Sequence, residues 1–290
     1  MVGRPIVSIR EILFPTDLSP ESDQAFEHVR LLSDRFAASV TLYHVAEVPD
    51  HQYAHWAFAH GHEVWDHAEK VARECLERRA QCLTVSHRTI VERKSSAPRG
   101  VVEVIRSLQP DLTVMATHGR EGLAHALIGS VTERVVQRAF RPVLCVREPD
   151  HGEGLAYRRI LLPTDLSLAS RLAFPMAALF ASTFGAEIIG LYVTPQTTLA
   201  TLSGIPAVET PARPTEADLW SFLRTDFHEV GITAQVHQGT VWDRICHVAR
   251  VEKADLIVMS TRGHDSLADR IIGSNTERVV RHAPCPVLVA

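Results

Sequence analysis

Short apolar runs rich in β-branched residues alternate along the chain with longer stretches whose apolar positions recur every three to four residues. The first pattern suits strands and the second suits amphipathic helices. Together they predict strands at about 10–15, 40–46, 84–92, 112–117 and 142–147, with helices near 20–37, 61–80, 98–108 and 130–139. The order then begins again, with strands near 158–163, 186–193, 232–238, 255–260 and 286–289 and helices near 168–184, 214–230, 240–252 and 274–282. Strict alternation of strand and helix implies right-handed crossovers and a parallel sheet covered on both faces. The expected fold class is therefore α/β: two tandem Rossmann-like domains, each a five-stranded parallel sheet with helices on both faces. Runs such as Leu112-Thr-Val-Met-Ala116 and Leu256-Ile-Val-Met259 fit central strands buried on both sides.

The second half repeats the first in detail. Ile12-Leu-Phe-Pro-Thr-Asp-Leu-Ser19 returns 148 residues later as Ile160-Leu-Leu-Pro-Thr-Asp-Leu-Ser167. Thr117-His-Gly119, nine residues and Gly129-Ser-Val-Thr-Glu-Arg-Val-Val136 return as Thr261-Arg-Gly263, nine residues and Gly273-Ser-Asn-Thr-Glu-Arg-Val-Val280. Solenoid repeats run to only about 50 residues, so this period means duplicated domains. The polar segment Glu148-Pro-Asp-His-Gly-Glu-Gly154 reads as the linker, which gives domains at 1–148 and 155–290. Two long connections, Glu47 to Gly61 and Thr194 to Thr215, each follow the second strand of their half. Loops of that length are usually functional or mobile.

Composition changes this picture little. At 290 residues each domain is large enough to bury its own core, and 46% hydrophobic with 22% charged residues is ordinary for a globular protein. A net charge of −4 gives no electrostatic reason to expect nucleic acid or an anionic membrane as partner. The N-terminus lacks a signal-peptide pattern, and no apolar run approaches the roughly 18 residues of a membrane span. Five cysteines without a C-x-x-C pair read as reduced thiols in a cytoplasmic protein.

The repeated polar residues fall where such a sheet binds ligands, beyond the carboxyl ends of its strands. Asp17 and Asp165 follow the first strand of each half, and Gly119 and Gly263 follow the fourth. A carboxylate there can accept hydrogen bonds from a ribose hydroxyl or an amino group of a base. Gly129-Ser130 and Gly273-Ser274 open the last helix, where free N–H groups and the helix dipole favour an anion. A structural reading stands beside this one. Ser130-x-x-Glu133 and Ser274-x-x-Glu277 also read as capping boxes that satisfy the same N–H groups internally. Asp17 and Asp165 also precede Ser19 and Ser167, which are helix-start signals.

On these motifs both halves resemble universal stress protein domains over nearly the whole chain, so the chain looks like a tandem member of that family. The family's nucleotide motif, G-x-x-G, nine residues, then G-[S/T], reads here as Ala116-Thr-His-Gly119…Gly129-Ser130 and Ser260-Thr-Arg-Gly263…Gly273-Ser274. Both copies replace the first glycine, by Ala116 and by Ser260. The resemblance implies a stress-response sensor or regulator that binds ATP, with or without Mg²⁺. Adenine and ribose would lie against Pro15, Asp17 and the backbone of Val45, flanked by Met115 and Ala116. His118, Gly119, Gly129, Ser130, Val131 and Thr132 would hold the phosphates. In the second half the corresponding positions are Pro163, Asp165, Val193, Met259 and Ser260, with Arg262, Gly263, Gly273, Ser274, Asn275 and Thr276 on the phosphate side. The resemblance further implies pairing through the last strands, Pro142–Val146 and Pro286–Val289, which would associate the two halves as a pseudo-dimer and leave a homodimer of whole chains open.

The two copies differ where Arg262 brings a permanent charge and His118 a titratable one. Phosphate binding near neutral pH is therefore expected to be less pH-sensitive in the second half. Titrations of variants that retain one site each, at pH 6 and pH 8, test this; equal pH dependence in the two halves refutes it.

The segment from His44 to His67 holds six of the sixteen histidines. His51 and His55 would share a helix face, and His60-x-His62 is a tighter pair, so these four are candidate ligands for zinc. Against a metal site, the set has no cysteine and no fixed ligand spacing, and Glu63 and Asp66 can simply solvate a helix face. No catalytic triad, Walker lysine or paired-carboxylate spacing is legible, so no catalytic residue is assigned. Two other readings stay open: a nucleotide-independent interaction module and a weak metal-dependent ATPase.

Overall fold

The computed structural model describes residues 8–48, 61–117, 129–147, 155–195, 213–228, 230–261 and 273–290, without the side chains of 61–63. The chain divides into two compact units, Ser8–Glu148 and Pro149–Ala290. The first runs β1 (Glu11–Pro15), α1 (Pro20–Phe36), β2 (Ser39–Glu47), α2 (Gly61–Ala80), β3 (His87–Lys94), α3 (Ala97–Leu108), β4 (Leu112–Ala116), α4 (Ser130–Arg138) and β5 (Val143–Val146). The second runs β6 (Arg159–Pro163), a 3₁₀ turn (Ser170–Ala173), α5 (Phe174–Phe184), β7 (Glu187–Thr194), α6 (Glu216–Arg224), β8 (Ile232–Gln238), α7 (Val241–Val251), β9 (Leu256–Met259), α8 (Ser274–His282) and β10 (Val287–Val289).

Strand order is β3-β2-β1-β4-β5 in the first unit and β8-β7-β6-β9-β10 in the second, and every pairing within a unit is parallel. The expected α/β fold, two Rossmann-like five-stranded sheets, is thus observed. In each unit the chain leaves the first strand toward one side and later crosses to the other. The point of reversal lies between β1 and β4, where Ile12 pairs with Leu112, and between β6 and β9, where Ile160 pairs with Leu256.

Periodicity decides which face of each helix is covered. In α1 the buried positions Ser22, Ala25, Phe26, His28, Val29, Leu32 and Ser33 form one stripe, and Phe26 meets Phe14 of β1 at 5.5 Å. Burying each such large apolar side chain contributes roughly 1.5–3 kcal/mol. Arg79 at the end of α2 donates to Asp23 of α1 at 2.8 Å, while α3 packs on α4.

Boundaries depart from expectation in three places. β3 lies at 87–94 rather than 84–92, because Thr84 and Val85 form a bend ahead of it, in which the Thr84 hydroxyl donates to Asp34, and pairing with β2 begins only where Val40 N donates to Ser86 O. α6 stops at Arg224, inside the expected 214–230. Beyond it Thr225 Oγ1 donates to Phe222 O, Asp226 pairs with Arg171, and Phe227 is buried against Phe174 at 5.3 Å. The first helix of the second half opens as a 3₁₀ turn, whereas α1 starts directly with Pro20 preset at its first position. Leu168 stands at the corresponding place and offers no such restraint.

Candidate functional site

The loop after the first strand is built twice on one plan. Thr16 N–H continues the sheet by donating to Tyr43 O, and Thr164 N–H donates to Leu191 O. The buried Thr16 hydroxyl donates to Ser22 Oγ at 2.8 Å and accepts from the Leu18 amide at 3.0 Å. Thr164 repeats this with Ser170 at 2.7 Å and the Leu166 amide at 3.0 Å. These bonds hold Leu18 and Leu166 at φ of 65° and 63°. Left-handed backbone costs a non-glycine residue roughly 1–2 kcal/mol, and strain of this kind clusters at functional loops. Asp17 Oδ1 accepts from Ser19 N at 3.0 Å and Ser19 Oγ at 2.6 Å, and Asp165 Oδ1 accepts from Ser167 N at 3.0 Å. Each carboxylate is therefore oriented at the carboxyl end of its strand, half-buried, beside the point where strand order reverses. Ser19 is also the N-cap of α1, receiving the Ser22 amide at 3.3 Å, so the helix-start reading holds as well. The threonine–serine pairs were not singled out from sequence; the available signal was that Thr16 and Ser22 recur as Thr164 and Ser170.

The second component is the start of the last helix. Gly129 N–H donates to Thr117 O at 2.7 Å, and Gly273 N–H to Thr261 O at 2.9 Å. Each bond fixes the helix start against the end of β4 or β9. A side chain at Gly129 would stand 3.2 Å from Thr117 O, so glycine suits the close approach. Gly129 and Gly273 are the N-caps, and neither α4 nor α8 has a side-chain cap. The expected capping boxes are absent: Ser130 and Ser274 stand one residue inside the helix. Glu133 accepts from Gln137 and Glu277 pairs with Arg281, so neither reaches back to the helix start. The first intrahelical bonds are Glu133 N to Gly129 O and Glu277 N to Gly273 O. The amides of Ser130, Val131 and Thr132, and of Ser274, Asn275 and Thr276, precede them with no internal cap. Three such amides at a positive dipole end suit an oxyanion. The Thr132 and Thr276 hydroxyls donate to Ala116 O at 2.7 Å and Ser260 O at 3.1 Å, which leaves a phosphate the backbone amide of each threonine rather than its hydroxyl.

A profile described as the universal stress protein family matches residues 8–147 and again 156–290. The chain belongs to the universal stress protein family. A universal stress protein of Mycolicibacterium smegmatis is 26% identical over 96% of each chain. One from Methanocaldococcus jannaschii is 33% identical over 48% of this chain and 84% of its own. The crystal structure of a universal stress protein from Archaeoglobus fulgidus covers 97% of both chains at 20% identity with a TM-score of 0.67, a likeness of fold.

Of the residues expected at the two family motifs, Pro15, Asp17, Met115, Ala116, Gly129, Ser130, Val131 and Thr132 gather at the carboxyl ends of β1 and β4. Pro163, Asp165, Met259, Ser260, Gly273, Ser274, Asn275 and Thr276 do the same at β6 and β9. Val45 and Val193 lie near the ends of β2 and β7, one strand further out. His118, Gly119, Arg262 and Gly263 lie outside the described residues, as do His51, His55 and His60 and the side chain of His62. His44 Nδ1 lies 2.8 Å from Thr16 O and serves the acidic loop. Among the described residues no group of three His, Cys, Asp or Glu is placed to hold a metal, and no helix is long and apolar enough to cross a membrane. None of the five cysteines forms a disulfide, and burial pushes the Cys145 thiol up to about 12, which keeps it protonated.

Proposed function

We propose that this tandem universal stress protein binds an adenine nucleotide in each half and acts as a stress-response regulator in the cytoplasm. The observation that carries the reading is the uncapped start of α4 and of α8, bonded to the end of its neighbouring strand, with an oriented carboxylate at the end of the strand on the other side of the reversal point. The phosphates would meet the three uncapped amides, and Asp17 or Asp165 would accept from the ribose. The base would extend toward Val45 or Val193. With ATP, Mg²⁺ would offset phosphate charge; no described side chain is assigned to hold it. Small residues at Ala116 and Ser260 keep the backbone open to the sugar where the family motif has glycine.

Isothermal titration of ATP with Mg²⁺ into the full chain, beside Asp17→Ala and Asp165→Ala, tests this. Loss of a hydrogen bond to a charged group is worth about 1.5–3 kcal/mol, so each change is expected to weaken its own half's binding by about 10- to 150-fold. Absence of heat with the unaltered chain, or affinities indifferent to both substitutions, would overturn the nucleotide reading. Ligand occupancy in this proposal biases the loops beyond β4 and β9, and phosphate chemistry is not required.

A further inference from the structure

The loop that joins α4 to β5 departs from its copy in the second half. It carries Arg138, Phe140 and Arg141 where the second half has His282, Pro284 and Cys285. Pro284 and Cys285 are buried, whereas Phe140 is 61% exposed and the arginines on either side of it are exposed as well.

The end of α3 lies against this loop. Arg106, in the last turn of α3, sets its guanidinium over the Phe140 ring, 5.7 Å from the centroid. Gln109, the left-handed C-cap of α3, accepts from Arg141 Nη2 at 3.1 Å. The ring and two of the three guanidinium groups are thus held in place before any partner arrives, which lowers the entropy lost on binding. A cation in the last turn of a helix offsets the helix dipole, and that accounts for the charge of Arg106 and Arg138. It does not account for the exposed ring, or for Arg141, which lies beyond the helix.

The carboxylates in the neighbourhood are engaged elsewhere. Glu103, one turn before Arg106, is held by Lys94 at 3.0 Å. Asp111 accepts from the amides of Arg10 and Glu11 at 2.8 and 3.1 Å, and Glu133 of α4 accepts from Gln137. Among the described residues no carboxylate pairs with Arg106, Arg138 or Arg141. On a chain of net charge −4, three unmatched cations around one aromatic ring are a local reversal of sign.

We propose that Phe140, with Arg106, Arg138 and Arg141, is a docking surface for an acidic segment of a partner protein. An apolar side chain of that segment packs on the ring, and carboxylates beside it meet the arginines. Aromatic residues and arginine are the types enriched where protein partners bind, and guanidinium takes a carboxylate in a two-bonded fork. A nucleic acid or an anionic membrane would extend past so small a patch onto a surface of net negative charge, whereas a short acidic segment meets the patch alone. The surface lies at the amino ends of β4 and β5, away from the start of α4, and does not rest on the nucleotide reading.

The test is fluorescence anisotropy with the full chain and a labelled peptide in which leucine and phenylalanine stand between pairs of glutamates. The control peptide carries glutamines in place of the glutamates. The acidic peptide is expected to bind, and the neutral one to bind at least about tenfold more weakly. Phe140→Ala, Arg106→Gln and Arg141→Gln are each expected to weaken the acidic peptide by at least about fivefold. All three positions are exposed, so unchanged thermal unfolding shows that the fold is intact. Arg250→Gln, at the place of Arg106 in the second half, is expected to leave binding as it is. No binding of the acidic peptide, equal binding of the two peptides, or an equal loss with Arg250→Gln overturns the proposal. It is also overturned if a short oligothymidine, or vesicles containing phosphatidylserine, bind more tightly than the peptide and lose that binding with the same substitutions. The occupant would then be a nucleic acid or a membrane.

Discussion

Phe180→Ala should destabilise the second half by about 3–5 kcal/mol, the cost of emptying a fully buried aromatic site. Phe180 is 0% exposed on α5, 5.4 Å edge-on from Tyr157 and 5.9 Å from Phe184. Tyr157 meets Phe184 in turn at 5.0 Å, so the three rings brace one another between the strand approach and the helix. Three rigid rings leave few neighbours able to swing into the vacated space, which argues for a loss toward the upper end. The first half fills the corresponding places with Ile9, Leu32 and Phe36, a smaller and more adaptable set. Hydrogen exchange of the β6 and β7 amides checks the prediction, with each 1.4 kcal/mol appearing as about tenfold faster exchange where opening is global. A change below about 1 kcal/mol would show that the cluster closes over the gap.

Acid should weaken the first half through His28, whose imidazole is buried on α1 and 5% exposed. Burial alone lowers its pKa from 6.5 to about 4. Between these values the unfolded chain binds a proton that the folded chain excludes, so stability rises with pH across the window. The contribution is complete above about pH 6.5, is lost as pH falls toward about 4 and changes no further below. A shift of this size corresponds to about 3 kcal/mol. The second half places Met176 at the same point of α5, also buried. His28→Met is therefore expected to fit the site and to flatten the stability–pH curve between pH 6.5 and 4. Urea unfolding at several pH values in that range, comparing the two proteins, decides it. Parallel curves would mean that His28 is not what acid attacks.

Nearly all elements were legible in the sequence because strict strand–helix alternation and the internal repeat each constrain the other. The three displaced boundaries are places where a local turn or a tertiary contact outweighed periodicity. Thr84 and Val85 continue the β-branched pattern of a strand yet form the bend ahead of it, and Phe227 is apolar at helical spacing yet docks as a tail. The site was legible to the level of which residues recur. Its hydrogen bonding was not, because Ser130-x-x-Glu133 satisfies the capping-box spacing whether the serine is the cap or the next residue. Only backbone geometry shows that the glycine caps and the serine does not.

The outer strands β3 and β8 carry a further consequence for handling the protein. β3 ends in Glu92, Arg93 and Lys94, and Arg93 is held by Asp66 and Glu69, so that edge presents fixed charge to any incoming strand. β8, Ile-Thr-Ala-Gln-Val-His-Gln, has neither lysine nor carboxylate along its length. Charged edges discourage strand addition, and neutral β-branched ones invite it. Concentrated or partly denatured preparations should therefore begin to self-associate along β8, and a single lysine at an outward position there, such as Thr233, is the economical remedy for solubility.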